Sequence, residues 1–139
     1  MLTMEPYLYF DGNCGEAMRF YAKLFGGNLD IMSHADSPIA DQVPAANRDR
    51  IMHARLDIDG RILMASDALA GHSYSGMHGF SIALSYPDPV EAKRVFTALS
   101  EGGRVTMPLQ KTFWIELFGM VVDRFGAPWM INGGAAAPM

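Results

Sequence analysis

The chain has 139 residues, half of them apolar, and a formal net charge of −4. This is the length of one ordinary domain with enough apolar residues for a substantial core, and the composition argues against a disordered chain. The 11 Lys and Arg residues are scattered along the sequence, which argues against a nucleic-acid partner and against binding to an anionic membrane surface.

The single cysteine, Cys14, allows no intrachain disulfide, so the chain fits a reducing compartment. The first ten residues contain no basic region and no long apolar stretch, which argues against a secretion signal. No apolar run approaches the roughly 18 residues that a membrane span needs. We therefore predict a cytoplasmic protein without a membrane partner.

The predicted elements follow one order, β-α-β-β-β, twice along the chain. The elements of the first half are a strand, a helix, an extended segment and the two strands of a hairpin, at 7–10, 13–27, 29–33, 52–58 and 61–67. Those of the second half are at 80–85, 88–103, 104–109, 113–122 and 128–132. Three connecting segments are predicted to be a surface loop, a linker and a flexible tail, at 35–50, 68–77 and 133–139.

Both helices carry the same signals at their ends. Asn13 and Asp88 stand at the N-cap, each with a glutamate three residues later, Glu16 or Glu91, which is the spacing of a capping box. Each helix ends at a Gly-Gly pair, which allows a left-handed C-terminal residue. These matching signals support an internal repeat.

The strands alternate between apolar and other side chains, as expected where one helix covers one face of a sheet. The set predicted to pack on the helices is Leu8, Phe10, Met52, Ala54, Leu56, Ile58, Phe80, Ile82 and Leu84. The opposite set is Tyr7, Tyr9, His53, Arg55, Asp57, Ser81, Ala83 and Ser85. We expect this second set to face either water or a concave ligand site.

Several motifs, in order, resemble those of a known family. They lie at 6–17, 20–21, 25–27, 53–56, 63–67, 102–103, 105–110, 112–114 and 123–132. On these motifs the chain resembles the PhnB-like family, also labelled 3-demethylubiquinone 3-methyltransferase-like, of the vicinal-oxygen-chelate (glyoxalase/bleomycin-resistance) superfamily. The resemblance runs from about Pro6 to Asn132, with one departure at Ile115, where the family usually has glycine.

The resemblance implies an α+β fold in which two paired βαβββ modules form a cup-shaped mixed sheet. It implies one domain over residues 1–139, with module one at about 5–67 and module two at about 78–132. Members commonly form two-fold dimers, so a homodimer is expected. The methyltransferase label gains no support, because no glycine-rich nucleotide-binding loop follows a strand.

Members of the superfamily also hold a divalent metal with His and Glu or Gln from equivalent strands. The corresponding positions here are Ser81, its module-one partner Tyr7 (or Glu5 if the register slips by two), Met64 and Met130. Thioethers are soft ligands that do not suit metals preferring oxygen. We therefore predict no metal site and no cofactor. The histidines offer no evident replacement, because none forms a His-x-His or Glu-x-x-His pair.

Two functions stay open. The first is metal-free binding of a small organic molecule in an apolar and aromatic cup, lined by Tyr7, Tyr9, His53, Met64, Ser81, Trp114, Glu116 and Met130. The second is an enzyme of lyase, isomerase or dioxygenase type, either metal-free or with a divalent metal in a rebuilt site, that acts on a small oxygenated metabolite, with candidate catalytic groups His53, Glu116 and Asp67. Two of these residues also have a plainer structural interpretation: Trp114 could serve in packing, and Asp67 could cap a turn.

Overall fold

The computed structural model describes residues 1–136. The chain divides into two compact units between Gly76 and Met77. Each unit contains a four-stranded sheet and one α-helix of 12 residues. We describe each unit by itself.

Unit one contains, in chain order, β1 (Tyr7–Phe10), α1 (Cys14–Phe25), β2 (Asn28–Ser33), β3 (Ile51–Ile58) and β4 (Arg61–Asp67). The strand order in its sheet is β1-β4-β3-β2, in which β1 is parallel to β4 and the other pairs are antiparallel. The predicted surface loop between β2 and β3 contains two short 3₁₀ turns, Ala40–Gln42 and Ala45–Asn47.

Unit two contains β5 (Ile82–Tyr86), α2 (Pro89–Ser100), β6 (Arg104–Gln110), β7 (Ile115–Val122) and β8 (Pro128–Ala136). Its strand order is β5-β8-β7-β6, again with the first pair parallel. The two sheets therefore have the same topology, and the predicted repeat of β-α-β-β-β is confirmed. The fold is α+β.

Each helix packs its apolar stripe on one face of its own sheet. The buried residues of α1 are Cys14, Gly15, Ala17, Met18 and Tyr21, and those of α2 are Ala92, Val95, Phe96 and Leu99. The buried strand residues include Leu8, Phe10, Ala54, Leu56, Ala65, Val121, Trp129 and Ile131. This matches the predicted alternation in β1 and in the middle of β3, where Ala54 and Leu56 are buried while His53 and Arg55 are exposed.

Three predicted positions near strand ends are wrong. Phe80 precedes β5 and is 46% exposed, so it does not pack under a helix. Met52 is half-buried while its neighbour Ile51 is buried, because the pairing of β2 with β3 shifts between Met32 and Ser33. Such an irregularity reverses the alternation of side chains locally. Trp114 lies before β7 rather than within it.

The predicted flexible tail begins too early. Residues 133–136 belong to β8, where Gly133 pairs with Tyr86 of β5 and Ala136 pairs with Ile115 of β7. The backbone hydrogen bonds of two neighbouring strands therefore hold a segment whose small side chains suggested fraying. The rest of the predicted tail, 137–139, lies outside the described residues.

The two helices begin differently, contrary to the repeated capping box. At α2, the Asp88 carboxylate accepts a hydrogen bond from the backbone N–H of Val90 at 2.9 Å, as predicted, whereas Glu91 pairs with Arg94 instead. At α1, the side chain of Asn13 makes no cap hydrogen bond. There the carboxylate of Asp67, at the end of β4, accepts from the backbone N–H groups of Gly12 and Cys14.

The helices also end differently. Gly26 closes α1 in the left-handed conformation, with φ of 75°, and its N–H bonds to the carbonyl of Ala22. In α2 the capping residue Glu101 is extended, and the left-handed conformation falls on Gly102, with φ of 72°. Neither helix has the length and apolar character needed to cross a membrane, and the same holds throughout residues 1–136.

Candidate functional site

We call the side of each sheet that lies away from its helix the far face. On the far face of sheet one, Met64 is paired with Tyr7 of β1 on one side and with Arg55 of β3 on the other. His53 is paired with Met32 of β2. Because directly paired residues point to the same face, these side chains form neighbouring rows.

An aromatic cluster on this face extends from the edge strand β1 to β3. The ring centroid of Tyr7 is 5.2 Å from that of Tyr9 and 5.7 Å from that of His53. The Tyr7 hydroxyl is 3.1 Å from Nδ1 of His53, within hydrogen-bond distance. Tyr9 is 58% exposed. The structure therefore brings together three of the predicted ligand-binding residues, with Met64 in the adjoining row.

The far face of sheet two carries a row of methionines. Met130 of β8 pairs with Met120 of β7, which pairs with Met107 of β6, and Ala83 of β5 completes the row. The sequence indicated only Met130. Strand alternation in β7 could have indicated Met120, whereas Met107 follows an irregularity in the pairing of β6 that no local pattern predicts.

Three aromatic rings meet at one end of this far face. The Trp114 ring centroid lies 5.3 Å from that of Phe118 and 4.8 Å from that of Phe113, both in edge-on geometry. Phe118 is paired with Asn132 and is 6% exposed, whereas Phe113 is 89% exposed. Trp129 has a structural role instead: it is 1% exposed and its indole N–H donates to the Asp123 carboxylate at 2.8 Å.

Asp67 is placed unfavourably for a general base. It is 6% exposed, and one carboxylate oxygen accepts from Gly12 and Cys14 while the other accepts from the backbone N–H of Ile51 at 2.8 Å. With both oxygens engaged by the backbone, the carboxylate holds the chain together, as a turn cap does. This geometry argues against the predicted catalytic role and favours the plainer interpretation.

Glu116 lies beside the end of β8. One of its carboxylate oxygens is 3.5 Å from the backbone N–H of Ala135, and the side chain occupies the space in which a Cβ of Gly134 would stand. It is exposed to solvent, as is His53. The two residues belong to different units, and an acid/base pair between them stays a prediction.

The register of the two sheets identifies which residue corresponds to Ser81. Tyr7 pairs with Met64, and Ala83 pairs with Met130, so the equivalence of the two methionines makes Tyr7 the counterpart of Ala83. Two residues upstream, Glu5 is therefore the counterpart of Ser81. Of the two partners predicted for Ser81, the register therefore selects Glu5 rather than Tyr7. Ser81 itself lies just before β5.

These four positions do not fit a metal that prefers oxygen ligands. They offer one carboxylate, one hydroxyl and two thioethers, whereas such metals are held by several carboxylate, carbonyl or imidazole donors. Among residues 1–136, no group of three or more His, Cys, Asp and Glu side chains is arranged to hold a metal ion.

Cys14 is fully buried in the core of unit one. Burial, together with the charge of Asp67, raises the pKa of its thiol to about 12, against a smaller opposite effect of Arg19. A thiol with such a pKa carries almost no thiolate at neutral pH, so Cys14 packs in the core as an inert apolar side chain.

Comparison with known proteins identifies the family. The family model described as 3-demethylubiquinone-9 3-methyltransferase matches residues 3–132. The chain belongs to this PhnB-like family. It is 37% identical to protein YjdN of Escherichia coli K12 over 94% of this chain and 95% of that protein.

Solved structures show the same fold. Protein PA1353 from Pseudomonas aeruginosa is 47% identical, with a TM-score of 0.89, over 96% of this chain and 98% of that one. The fosfomycin resistance protein FosX from Listeria monocytogenes has a TM-score of 0.62 at 11% identity, over 97% of this chain and 94% of that one. The second likeness concerns the fold alone, and places this family member in the glyoxalase/bleomycin-resistance fold, as predicted.

Proposed function

We propose that this chain binds a small, planar organic molecule on the aromatic and methionine-lined far faces of its sheets, without a metal. The observation that carries the proposal is the cluster of Tyr7, Tyr9 and His53, in which the Tyr7 ring lies 5.2 Å from that of Tyr9 and 5.7 Å from that of His53 on an exposed surface. Three adjacent rings offer a planar ligand stacking surface, and each aromatic pair contributes about 0.5–1.5 kcal/mol beyond area burial.

The neighbouring groups suit such a ligand. The Tyr7 hydroxyl and the His53 imidazole can donate or accept a hydrogen bond, which would orient a ligand oxygen. Met64, Met130 and Met120 have unbranched, polarizable side chains that adapt to different ligand shapes. Trp114 supplies a further exposed ring edge. Ser81, just before β5, and Glu116, near the start of β7, would offer further polar groups to the ligand.

The proposal is tested with 2-naphthol, added to protein dialysed against EDTA. The NMR signals of the His53 imidazole and the Trp114 indole N–H report binding. We expect saturable shifts at one or both signals without added metal. In the Tyr9→Ala variant, the dissociation constant measured from the His53 signal should be at least tenfold higher. Tyr9→Ala removes an exposed ring, and Phe80→Ala is its matched control, because Phe80 is 46% exposed and lies outside both sheets.

Equal affinity in Tyr9→Ala and wild type would contradict this site. A requirement for a divalent metal would contradict metal-free binding.

The enzyme alternative is favoured by one observation, the contact between the Tyr7 hydroxyl and Nδ1 of His53. A hydrogen bond at Nδ1 fixes the ring and leaves Nε2 to exchange a proton with a ligand. The test is deuterium exchange at the methyl protons of pyruvate in D₂O. Exchange above the buffer rate that is lost in His53→Asn would favour an enzyme. No exchange above buffer would argue against proton abstraction from this carbon acid.

We also infer a single-domain cytoplasmic homodimer, with module one at about 5–67 and module two at about 78–132. The support is the family membership, since a resemblance of this kind implies a two-fold assembly. Light scattering after size-exclusion chromatography tests it: a mass near 31 kDa is expected from a 15.3 kDa chain, and a mass near 15 kDa would contradict the dimer.

A further inference from the structure

A second candidate site lies in unit one, away from both far faces. The long loop after β2 and the segment at 69–72 border a cavity of about 490 Å³ that is open to solvent. Small-molecule sites typically have volumes of about 300–1,000 Å³. All the residues that line the cavity belong to unit one, and none is a residue of the aromatic cluster or the methionine row.

Hydrogen bonds from side chains to the backbone hold the walls of this cavity. Asn47 accepts from the backbone N–H of Ala70 at 2.7 Å through Oδ1, which joins the loop to the opposite segment. Arg48 donates to the carbonyl of Ala40 at 3.0 Å, across the loop. Arg50 donates to the carbonyl of Ala68 at 2.7 Å. The cavity is thus a defined feature of the loop, not a gap between unconnected segments.

The lining combines an apolar wall with polar donors. Ile39 and Leu69, one from each segment, are 43% and 41% exposed, an unfavourable state for large aliphatic side chains that a ligand would relieve. His34 and His72 contribute imidazoles, which donate through N–H in every protonation state. No sequence pattern indicates that these two histidines share a site, because 38 positions separate them along the chain.

Asn47 provides the decisive group. The residue is only 8% exposed and lines the cavity. Its Oδ1 is engaged by Ala70, whereas no hydrogen bond within residues 1–136 occupies its Nδ2. Its two unused N–H donors can therefore meet an acceptor on whatever fills the cavity.

We propose that this cavity binds small organic acids: molecules with an aromatic or aliphatic body against Ile39 and Leu69 and a carboxylate toward Asn47, His34 and His72. A carboxylate is the acceptor that best matches several N–H donors lining one cavity, since it has about four lone-pair sites and no donor of its own. The proposal does not depend on the function proposed for the far faces, with which the cavity shares no lining residue.

The probe is 2-naphthoate, with 2-naphthylmethanol as its uncharged counterpart. Binding is followed by the NMR signals of the His34 and His72 imidazoles, assigned from His34→Gln and His72→Gln. The chain has four histidines, so the signals can be resolved; that of His78 serves as the internal reference, and that of His53 reports binding on the far face of sheet one. We expect saturable shifts at His34 and His72 with 2-naphthoate, and at least tenfold weaker binding of the alcohol.

Two variants test the two halves of the site. Asn47→Asp keeps an oxygen for the Ala70 N–H but replaces the two donors with a second, negatively charged oxygen. Leu69→Gln removes part of the apolar wall at an exposed position, and Leu2→Gln, at a residue 79% exposed outside the cavity, is its matched control. We expect at least tenfold weaker 2-naphthoate binding in Asn47→Asp, about fivefold weaker binding in Leu69→Gln, and no change in Leu2→Gln.

Three results would overturn the proposal. They are no shift of His34 or His72 at 10 mM 2-naphthoate, equal binding of the acid and the alcohol, or wild-type affinity in Asn47→Asp. If Asn47→Asp does not fold, wild-type affinity in Leu69→Gln overturns it instead. Shifts confined to His53 would place the probe on the far face of sheet one, which would support the function proposed above and contradict this site.

Discussion

At the scale of single residues, Asp67 connects three parts of unit one. Its carboxylate accepts hydrogen bonds from the backbone of Gly12 before α1, of Cys14 at the first position of α1, and of Ile51 at the start of β3. The acceptor comes from the end of β4, 53 residues away from Cys14 in the sequence. A buried carboxylate that satisfies three backbone donors acts as a structural joint, since the N–H groups of Cys14 and Ile51 would otherwise be buried without a partner.

Removing this carboxylate should therefore be costly. We expect Asp67→Ala to lower the free energy of unfolding by about 3 kcal/mol or more, because three backbone N–H groups lose their acceptor. The stability of Asp67→Asn, which keeps one acceptor oxygen, should lie between that of wild type and that of Asp67→Ala. The control is Asp11→Ala, which breaks a half-exposed ion pair with Arg50 and should cost about 1 kcal/mol or less.

The measurement for Asp67 is urea unfolding followed by circular dichroism. A loss below about 1 kcal/mol in Asp67→Ala would contradict the structural role.

The buried thiol of Cys14 gives a second expectation at this scale. Burial raises its pKa from 9.0 to about 12, so the folded state favours the neutral form. The resulting stabilisation is present below pH 9 and is lost as the pH rises from about 9 towards 12. The free energy of unfolding of wild type should therefore fall relative to that of Cys14→Ala across this window.

Labelling of the thiol provides the second measurement. At pH 8 a disulfide reagent should react with Cys14 only at the rate at which the protein opens or unfolds, and fully in 6 M guanidinium chloride. Rapid labelling of the native protein would show that the thiol is accessible, contrary to its burial.

At the scale of elements, α2 packs unusually closely on β8. A Cβ at Gly133 would stand 2.6 Å from the Cβ of Ala92 in α2, well inside van der Waals contact. Neither of those atoms can move by rotating a side chain, so the contact needs glycine. The same approach explains why β8 continues past Asn132, because residue 133 is held between the helix and its neighbouring strands.

We expect Gly133→Ala to destabilise the protein by about 1–3 kcal/mol through this overpacking. The double variant Gly133→Ala with Ala92→Gly should recover part of the loss, because the two changes exchange the same methyl group across the interface, although glycine within α2 costs about 1 kcal/mol itself. Thermal unfolding of the four proteins of this cycle measures the coupling. Additive effects would show that the helix and strand are not in close contact at this point.

At the scale of the whole molecule, the chain is two units with the same topology but different far faces. The far face of sheet one carries tyrosine and histidine rings, whereas that of sheet two carries methionines and the rings of Trp114 and Phe118. A duplicated module can diverge in this way because the helix side of each sheet is constrained by packing, whereas the far face is free to change.

Divalent metals should not stabilise this protein. Glu5, Ser81, Met64 and Met130 are a poor donor set for Mg²⁺, Mn²⁺ or Ni²⁺. A ligand at one hundred times its dissociation constant adds about 2.7 kcal/mol, or several degrees in melting temperature. We expect a change below about 1 °C on adding 1 mM of each metal to dialysed protein. A rise of several degrees, or stoichiometric metal in the purified protein, would contradict this expectation.

The sequence alone was sufficient for the fold and the repeat. Helix caps, Gly-Gly stops and strand alternation are local signals, and they placed every α-helix and β-strand to within a few residues, because each signal arises from neighbours along the chain. It was also sufficient to indicate that Tyr7, Tyr9 and His53 share one face, since alternation assigns a face to each strand residue.

Only the tertiary structure decided which distant residues meet. Asp67 rather than Asn13 caps α1, and Asn47 joins the loop to Ala70, because carboxylates and amides bond to whichever backbone groups the fold brings near. Likewise, His34 and His72 line one cavity although neither has a neighbour in sequence that marks it. Hydrogen bonds of this kind depend on positions in space, and no pattern of adjacent residues encodes them.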